Sequence, residues 1–340
     1  MKCLGIESTA HTFSCSIVSN EENNKILSEA RSIYKPPEGS GIHPRDASRN
    51  HMNNAEKILR IVFEQANVSI KDIDIVAYSA GPGLGPCLRV GAVVARAIAS
   101  FYNKPIVPIN HAVGHVELGI MLTGANNPLV LLVSGGHTMI LIFSNKRWRI
   151  FGETLDITIG QLFDQFGRSI GLSSPCGNMI EKFAKLSDKY IQMPIIIKGN
   201  DVSFSGLLTR AKSIVSKNSI LKNETKQEKI NEVCFSLQET AFAMLTETVE
   251  RGMSFTGKKE VLIVGGVSAN QRLLEMLEKA TERQNGRLYK CPYNYAGDNG
   301  AQIAWTGIMD YISTKRVITV ENTFVRQGWR INTVDINWRN

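Results

Sequence analysis

The sequence lacks several features that would place it in a specialised class. Its 340 residues include only six cysteines, scattered without a CxxC pair or tight cluster, so neither a disulfide framework nor a structural zinc site is indicated. No window approaches the roughly 18 uninterrupted apolar residues of a membrane span, and the chain does not start with a charged leader and an apolar run. We therefore expect a cytoplasmic protein without membrane contact.

The composition is that of an ordinary globular protein. Hydrophobic residues make up 43% of the chain and charged residues 21%, and the length allows two domains with separate cores. The net charge of +8 is compatible with a polyanionic partner such as nucleic acid, although a diffuse excess of lysine is also common without one.

The apolar pattern predicts an α/β chain. Strands are predicted at 3–6 and 13–18, followed by a third that ends near Tyr34, and these form an antiparallel meander. Apolar residues at 55, 58, 59, 62, 63 and 66 predict a helix over 45–66. A buried strand at 73–78, a tight loop at 81–86, a helix at 89–100 and a strand at 105–109 follow, directly before His111.

The second half of the sequence repeats the plan of the first. Residues 8–12 and 134–138 both begin with serine, end with His-Thr and predict a strand-turn-strand unit. Residues 75–81 and 261–266 are both buried strands that run into a glycine loop, and 155–257 is a helical insertion. Two such halves predict a bilobed protein with a cleft between them. Turns of small residues facing that cleft would let backbone N–H groups approach phosphate oxygens, which favours a nucleotide site.

His111 and His115 are the most specific candidates for chemistry. They stand four positions apart, so on a helix their imidazoles project from one face and can share a metal ion. The alternative is a chance spacing without function. Ala112 stands where zinc peptidases with an HExxH motif have their general base, which argues against peptide hydrolysis.

Eight segments, in order along the chain, carry a family resemblance. They are GIESTAHT, AGPGLGP, NHAVGH, VSGGHT, GETLDITIG, VSFSGLLT, GGVSANQRL and AGDNGAQIAW. Together they resemble the tRNA N6-adenosine threonylcarbamoyltransferases over essentially the whole chain. The start IESTAHT and the segment GIHPRDAS are similar to the archaeal and eukaryotic branch, whose members work inside the KEOPS complex.

The resemblance implies the bilobed α/β fold shared by actin, sugar kinases and heat-shock ATPases, with two duplicated RNase H-like lobes around a cleft. The expected divisions are an N-terminal lobe with the HxxxH motif at 1–127, a C-terminal lobe with the nucleotide loops and the helical insertion at 128–325, and a basic tail at 326–340.

It also implies a reaction. The threonylcarbamoyl group passes from threonylcarbamoyl-AMP to the N6 amine of the adenosine 3′ to the anticodon, in tRNAs that read codons beginning with A, and AMP is released. An adenine amine is a poor nucleophile, so such an enzyme must position the two reactants and stabilise the charge that develops on oxygen.

The ligands implied for one divalent metal per subunit are His111, His115 and Asp298. The resemblance favours Fe(II). Zinc, manganese and magnesium are alternatives, because a site of two imidazoles and a carboxylate does not discriminate among these ions. Taken without the family, Asp298 would be read as a helix N-cap. Relatives often place a tyrosine ligand where this chain has Leu132.

The residues implied to bind threonylcarbamoyl-adenylate are loop glycines and polar side chains of the second half. Most of them have an alternative interpretation. Ser134, Gly135 and Gly136 would form an ordinary hairpin turn, and Asp164 and Glu181 would be solvated charges on helices. Gly265 and Gly266 would form a strand-to-helix turn, and Asn270 a helix cap. Cys176 and Asn178 depart from the family's PGGP turn. Glu7 is a candidate for a water network beside the phosphate. The binding residues are Ser134, Gly135, Gly136, Asp164, Gly177, Glu181, Gly265, Gly266 and Asn270.

The implied partners are tRNA, a small kinase subunit and a small dimerising subunit of the KEOPS complex. Basic residues are candidates for phosphate contacts and tail aromatics for stacking on a splayed base, against the alternative of a solvated cationic surface. The candidates are Arg45, Arg49, Lys57, Arg60, Arg210, Lys212, Lys217, Arg326, Arg330 and Arg339, with Trp329 and Trp338.

Two other functions use the same sequence features. A phosphotransferase or ATPase of the same fold would use the paired phosphate turns to turn over ATP without tRNA. A nucleotide-responsive scaffold would keep its partners after His111→Ala and show no chemical activity.

Overall fold

The computed structural model describes residues 1–21, 25–216, 225–316 and 318–339. The first half forms a five-stranded sheet in the order β3-β2-β1-β4-β5. Strand β2 runs antiparallel to β1 and β3, whereas β4 runs parallel to β1 and β5. Its elements are β1 (Lys2–Glu7), β2 (Thr12–Ser19), β3 (Ile26–Ile33), α1 (Pro44–Ala66), β4 (Ile75–Gly81), α2 (Gly85–Phe101), β5 (Ile106–Asn110) and α3 (His111–Thr123).

The second half forms another five-stranded sheet, in the order β12-β11-β6-β7-β8. Four helices and a two-stranded hairpin lie between its third and fourth strands along the chain. Its elements are β6 (Leu129–Val133), β7 (Thr138–Ser144), β8 (Arg147–Glu153), α4 (Ile159–Ser169), α5 (Gly177–Ala184), β9 (Ile197–Lys198), β10 (Asp201–Val202), α6 (Ser205–Ser216), α7 (Lys226–Thr256), β11 (Glu260–Val264), α8 (Gln271–Arg283), β12 (Arg287–Lys290), α9 (Tyr293–Ala296) and α10 (Gly300–Thr314).

The two sheets have the same topology. When read from β8, the second sheet repeats the first strand for strand, with an antiparallel meander (β6, β7, β8) followed by two parallel strands (β11, β12). The duplicated α/β plan predicted from the matched turns is therefore confirmed.

Several predicted boundaries differ by a few residues: the strand predicted at 73–78 is β4 (Ile75–Gly81), and the helix predicted at 89–100 is α2 (Gly85–Phe101). The loop predicted at 81–86 ends earlier, because α2 already begins at Gly85. Pro86 lies in the first turn of that helix, where a residue without an N–H group loses no intrahelical hydrogen bond. The helical insertion predicted at 155–257 contains α4 to α7 together with the short β9–β10 hairpin.

Helices α3 and α10 cross between the two sheets and pack against each other. Ala112, Val113 and Val116 of α3 share a buried cluster with Leu132 of β6. Helix α10 packs on β1, β2 and β4 of the first sheet, although it follows the whole second sheet in sequence. The lobe boundaries at 127/128 and 325/326 stay predictions. Helix α10 follows the 127/128 boundary but packs on the first sheet, and α3 precedes that boundary but also packs on the second sheet.

The contact between α10 and the first sheet is made backbone to backbone. A Cβ atom at Gly5 would overlap the carbonyl oxygen of Gly300 and the amide nitrogen of Ala304, and one at Gly300 would overlap the backbone of β2. Glycine at both positions lets the helix approach the strands closely. The start of α10 is thereby fixed above the end of β1.

Within the ranges described above, no helix has both the length and the apolar character needed to span a bilayer.

We expect Gly5→Ala to lower the free energy of unfolding by about 1 to 3 kcal/mol, because the added methyl group forces α10 away from β1. Urea denaturation measures this change. The matched control is Gly206→Ala in α6, where the nearest atom lies 3.5 Å from the added Cβ, so no loss is expected. A Gly5→Ala protein as stable as the parent would contradict the close packing described here.

Candidate active site

The histidine pair lies at the start of α3, directly after β5. Asn110 caps this helix, since its Oδ1 accepts hydrogen bonds from the amides of Ala112 and Val113 at 3.0 and 3.2 Å. The helix turns His111 and His115 to one side, with ring centroids 4.6 Å apart. Both side chains are buried. The predicted helical arrangement of the pair is confirmed.

Asp298 reaches the same point from the loop before α10. Its Oδ1 lies 3.3 Å from Nε2 of His115 and 3.5 Å from Nε2 of His111. The alternative role of Asp298 as helix cap is wrong. Asn299 caps α10 instead, accepting a hydrogen bond from the amide of Gln302 at 2.9 Å.

The three side chains fit a divalent metal ion. One ligand atom from each lies within 4.8 Å of the others, and tetrahedral ligands at bonds near 2.1 Å are separated by about 3.4 Å. Two imidazoles and a carboxylate also leave coordination positions open. Leu132, where relatives have tyrosine, is a fully buried residue of β6 and offers no donor atom.

Glu7 contacts His111 at the ring nitrogen that does not face Asp298. Its side chain is completely buried, and one oxygen accepts hydrogen bonds from the amide and hydroxyl of Thr9 at 2.6 and 2.5 Å. The other oxygen lies 2.9 Å from Nδ1 of His111. A proton on Nδ1 directed at Glu7 leaves the lone pair of Nε2 facing Asp298, as in metal-bound histidines whose other ring nitrogen donates to a carboxylate. The role of Glu7 in a water network beside the phosphate stays a prediction.

The cluster is strongly polarised in the absence of a metal. Burial lowers the pKa of His111, but the charges of Glu7 and Asp298 outweigh it and raise the value to about 9. Burial lowers the pKa of His115, and the hydrogen bond that its ring donates to Asp298 only partly opposes this. Burial also opposes ionisation of Asp298, yet the neighbouring histidines bring its pKa well below the usual range. His111 is thus in its positively charged form, with both ring nitrogens protonated, near neutral pH.

The turn between β6 and β7 stands beside this cluster. The hydroxyl of Ser134 accepts hydrogen bonds from the amides of Gly136 and His137 at 3.2 and 3.0 Å. Gly135 and Gly136 are exposed, with no atom within 4 Å of the Cβ that either would carry. The ring of His137 stacks on that of His111, with centroids 6.1 Å apart and planes at 28°. An open glycine turn and the histidine cluster are therefore neighbours.

The second glycine loop adjoins the same turn. Gly265 has a positive φ of 95°, and a Cβ there would overlap the carbonyl of Val133, so a side chain is excluded for two reasons. Strands β6 and β11 are parallel neighbours, and both loops leave their carboxyl ends. Ligands of open α/β sheets bind at such an edge.

The remaining predicted residues continue from this loop. Asp164 accepts a hydrogen bond from the amide of Cys176 at 2.7 Å, just before Gly177, and Glu181 accepts one from the amide of Gln271 at 3.3 Å. Asn270 caps α8 with its Oδ1 and donates through Nδ2 to Gln238 at 3.0 Å. The cap that was the alternative for Asn270 is thus present, and its contact with adenylate stays a prediction, as do those of Asp164, Gly177 and Glu181.

The candidate tRNA contacts differ in their surroundings. Arg45, Arg49, Lys57 and Arg60 are exposed on α1, and Arg60 pairs there with Glu56. Arg210 is exposed and Lys212 half-buried on α6, whereas Lys217 lies outside the described residues. The tail arginines have protein partners: Arg330 pairs with Glu153 at 2.8 Å, Arg339 with buried Glu117 at 2.9 Å, and Arg326 lies over the ring of Trp329.

A family model described as tRNA N6-adenosine threonylcarbamoyltransferase matches residues 25–305. The chain belongs to this family. A relative of that name from Caldivirga maquilingensis is 44% identical over 338 residues, covering 99% of this chain and 98% of its own. A probable bifunctional tRNA threonylcarbamoyladenosine biosynthesis protein from Methanococcus vannielii is 44% identical over 337 residues, covering 99% of this chain and 59% of its own.

The fold is also found in more distant proteins. Component A of the (R)-2-hydroxyglutaryl-CoA dehydratase of Acidaminococcus fermentans superposes with a TM-score of 0.54 over 92% of this chain and 99% of its own, at 14% identity. The predicted bilobed actin-like fold is confirmed. As a member of the threonylcarbamoyltransferase family, the chain is a transferase of tRNA threonylcarbamoyladenosine synthesis.

We expect Glu7→Gln to weaken cobalt(II) binding by about 10- to 100-fold, because glutamine keeps the shape but loses the charge and an acceptor oxygen that orient His111. Isothermal titration of the metal-free protein measures the affinity. The control is Glu260→Gln, at the start of β11, for which no change is expected. Equal affinities for Glu7→Gln and the parent would rule out the supporting role of Glu7.

The raised pKa of His111 predicts a pH dependence. In the unfolded chain this histidine titrates near 6.5, so its protonation stabilises the folded metal-free protein below pH 6.5, a contribution lost as the pH rises through about 9. Metal binding has the opposite dependence, because the metal replaces the proton on Nε2. The apparent Kd for cobalt(II) should fall about tenfold per pH unit across this window, and titrations at three pH values test it. A constant Kd would contradict the assignment.

Proposed function

We propose that the chain transfers the threonylcarbamoyl group from threonylcarbamoyl-AMP to the N6 amine of the adenosine 3′ to the anticodon, in tRNAs that read codons beginning with A. The amine nitrogen forms a bond to the carbamoyl carbon and loses one proton. The bond from that carbon to the phosphate oxygen breaks, and AMP leaves with the electron pair. The chain acts in the cytoplasm as the catalytic subunit of a KEOPS-type complex.

The observation that carries this proposal is the contact between His137 and His111, with ring centroids 6.1 Å apart. It joins the cluster, whose two histidines come from the first half of the fold and whose Asp298 comes from the loop before α10, to an open glycine turn of the second half. A carbamoyl phosphate lying on that turn would have its reacting carbon beside the cluster. Family membership supplies the identity of the transferred group.

The second-half loops would bind the adenylate. Exposed backbone at Gly135 and Gly136 receives anionic oxygens, and the loop of Gly265 and Gly266 receives the adenosine. Asp164 and Glu181 each have a carboxylate that can accept hydrogen bonds from ribose hydroxyls, as acidic residues do in dinucleotide folds. Positioning by these groups lowers the barrier, because it holds the two reactants together and makes their bimolecular reaction effectively unimolecular.

His111, His115 and Asp298 would hold the divalent metal, for which Fe(II) is favoured. Such an ion supplies Lewis-acid stabilisation of charge on substrate oxygens. Glu7 keeps His111 oriented, and both histidines are buried, which weakens the screening of nearby charge by water. The exposed cations of α1 and α6 would bind the tRNA backbone, which makes binding steeply dependent on salt.

The test is reconstitution of the reaction. The protein, with and without its small kinase and dimerising subunits, is incubated with unmodified tRNA and threonylcarbamoyl-AMP, and the digested tRNA is searched for threonylcarbamoyladenosine by mass spectrometry. We expect product from the complete complex, and a loss of at least about 100-fold in His111→Ala and Asp298→Ala, which remove groups that stabilise developing charge.

The matched control is Glu282→Gln. Glu282 is an exposed carboxylate in the last turn of α8, about 18 Å along the helix from Asn270 at its cap, so its product yield should equal that of the parent. Absence of product with all partners present would refute the transferase. ATP consumption in the same tubes would then indicate the phosphotransferase, and its absence the scaffold.

A further inference from the structure

Residues 326–339 run across both halves of the fold. At one end, the amide of Arg326 donates to the carbonyl of Ala80 at 2.6 Å, and the carbonyl of Gln327 accepts from the amide of Gly83 at 3.1 Å. Toward the other end, the amide of Ile336 donates to the carbonyl of Lys146 in the second half at 2.8 Å. We call residues 326–339 the strap.

The strap is attached to the start of α3. Nδ2 of Asn110 donates to the carbonyl of Trp329 at 3.0 Å, while Oδ1 of the same side chain caps the helix. The residue that begins α3 is thus bonded to the helix on one side and to the strap on the other. His111 is the next residue.

The strap is attached again two positions beyond His115. Nε of Arg339 donates to both oxygens of Glu117 at 3.0 and 2.9 Å, and one of these oxygens also accepts from Nε1 of Trp148 at 3.0 Å. Glu117 is 2% exposed. A buried carboxylate is tolerated only with such partners, so this pair fixes the position of the helix and of Arg339 together.

Apolar contacts fill the space between the two attachments. Ile331 and Ile336 of the strap are buried in the same cluster as Ala112, Val113 and Val116 of α3. These three residues lie on the side of α3 that faces away from the metal ligands, so the strap packs against the face of the helix opposite to His111 and His115.

We propose that the strap is a positioning element of the metal centre, which acts on His111 and His115 through Asn110 and Glu117. This assigns Arg339 to α3 and not to the surface that binds tRNA. The inference rests on the proposed metal site but not on the group that is transferred.

The test uses cobalt(II), whose absorption spectrum reports ligand geometry. We expect Arg339→Gln to weaken cobalt(II) binding by about tenfold or more, as loss of outer-shell support does, and to change the spectrum of the bound ion. Arg339→Lys keeps the charge and should recover part of the loss. Arg147→Gln is the matched control, because Arg147 also pairs with the strap, at Asp335 (2.7 Å), but from β8. Its affinity and spectrum should equal those of the parent.

Asn110→Ser tests the other attachment if Arg339→Gln does not fold. Serine caps helices as well as asparagine does but has no amide to donate to Trp329, so a similar loss of affinity is expected. Parental affinity and spectrum in either variant would overturn the inference, as would an equal loss in Arg147→Gln. Because no tRNA or threonylcarbamoyl-AMP is present, this failure is distinguishable from failure of the transfer assay.

Discussion

The crossing of α3 and α10 is the contact on which the candidate site depends. Helix α3 begins directly after β5 and packs on strands of both sheets, whereas α10 begins after the loop that holds Asp298 and packs on the first sheet. Their starting points meet, so His111, His115 and Asp298 converge without any of them lying on a long mobile loop. The glycines at positions 5 and 300 allow this approach, since a side chain at either one would separate the helix from the strands. The geometry of the cluster is therefore set by helix packing.

Burial gives the cluster its chemistry. Glu7, His111 and Asp298 would be ordinary surface groups in water, with small effects on one another. In the interior their charges are poorly screened. Glu7 therefore orients the imidazole of His111, and the charge of Asp298 favours the protonated form of that imidazole. The open turn at Gly135 and Gly136 lies immediately outside this region, where it is accessible to an anionic ligand. A largely buried cluster of histidines and aspartate and an exposed glycine turn thus lie side by side.

Much of the fold could be predicted from the sequence, because alternation and matched turns are local signals. The meander of β1 to β3, the helical pairing of His111 and His115, and the duplication all follow from spacing. The position of α10 does not, since all residues from Gly300 to Ile308 are buried and periodicity cannot say which sheet such a helix covers. The sequence predicts only a water network beside the phosphate for Glu7 and does not predict its contact with His111, which lies 104 positions away. Charge pattern likewise identified Arg339 as a cation, but its partner Glu117 is 222 positions distant.

The separation of the ligands along the chain has a consequence for biosynthesis. His115 and Asp298 are 183 positions apart, and Asp298 comes after every strand of the second sheet. A nascent chain that has completed its first sheet and α3 therefore carries both histidines of the cluster but not Asp298. Contacts this distant in sequence form late, because loop closure must precede them. The complete cluster of two histidines and one aspartate is thus present only in molecules in which α10 has already packed on the first sheet.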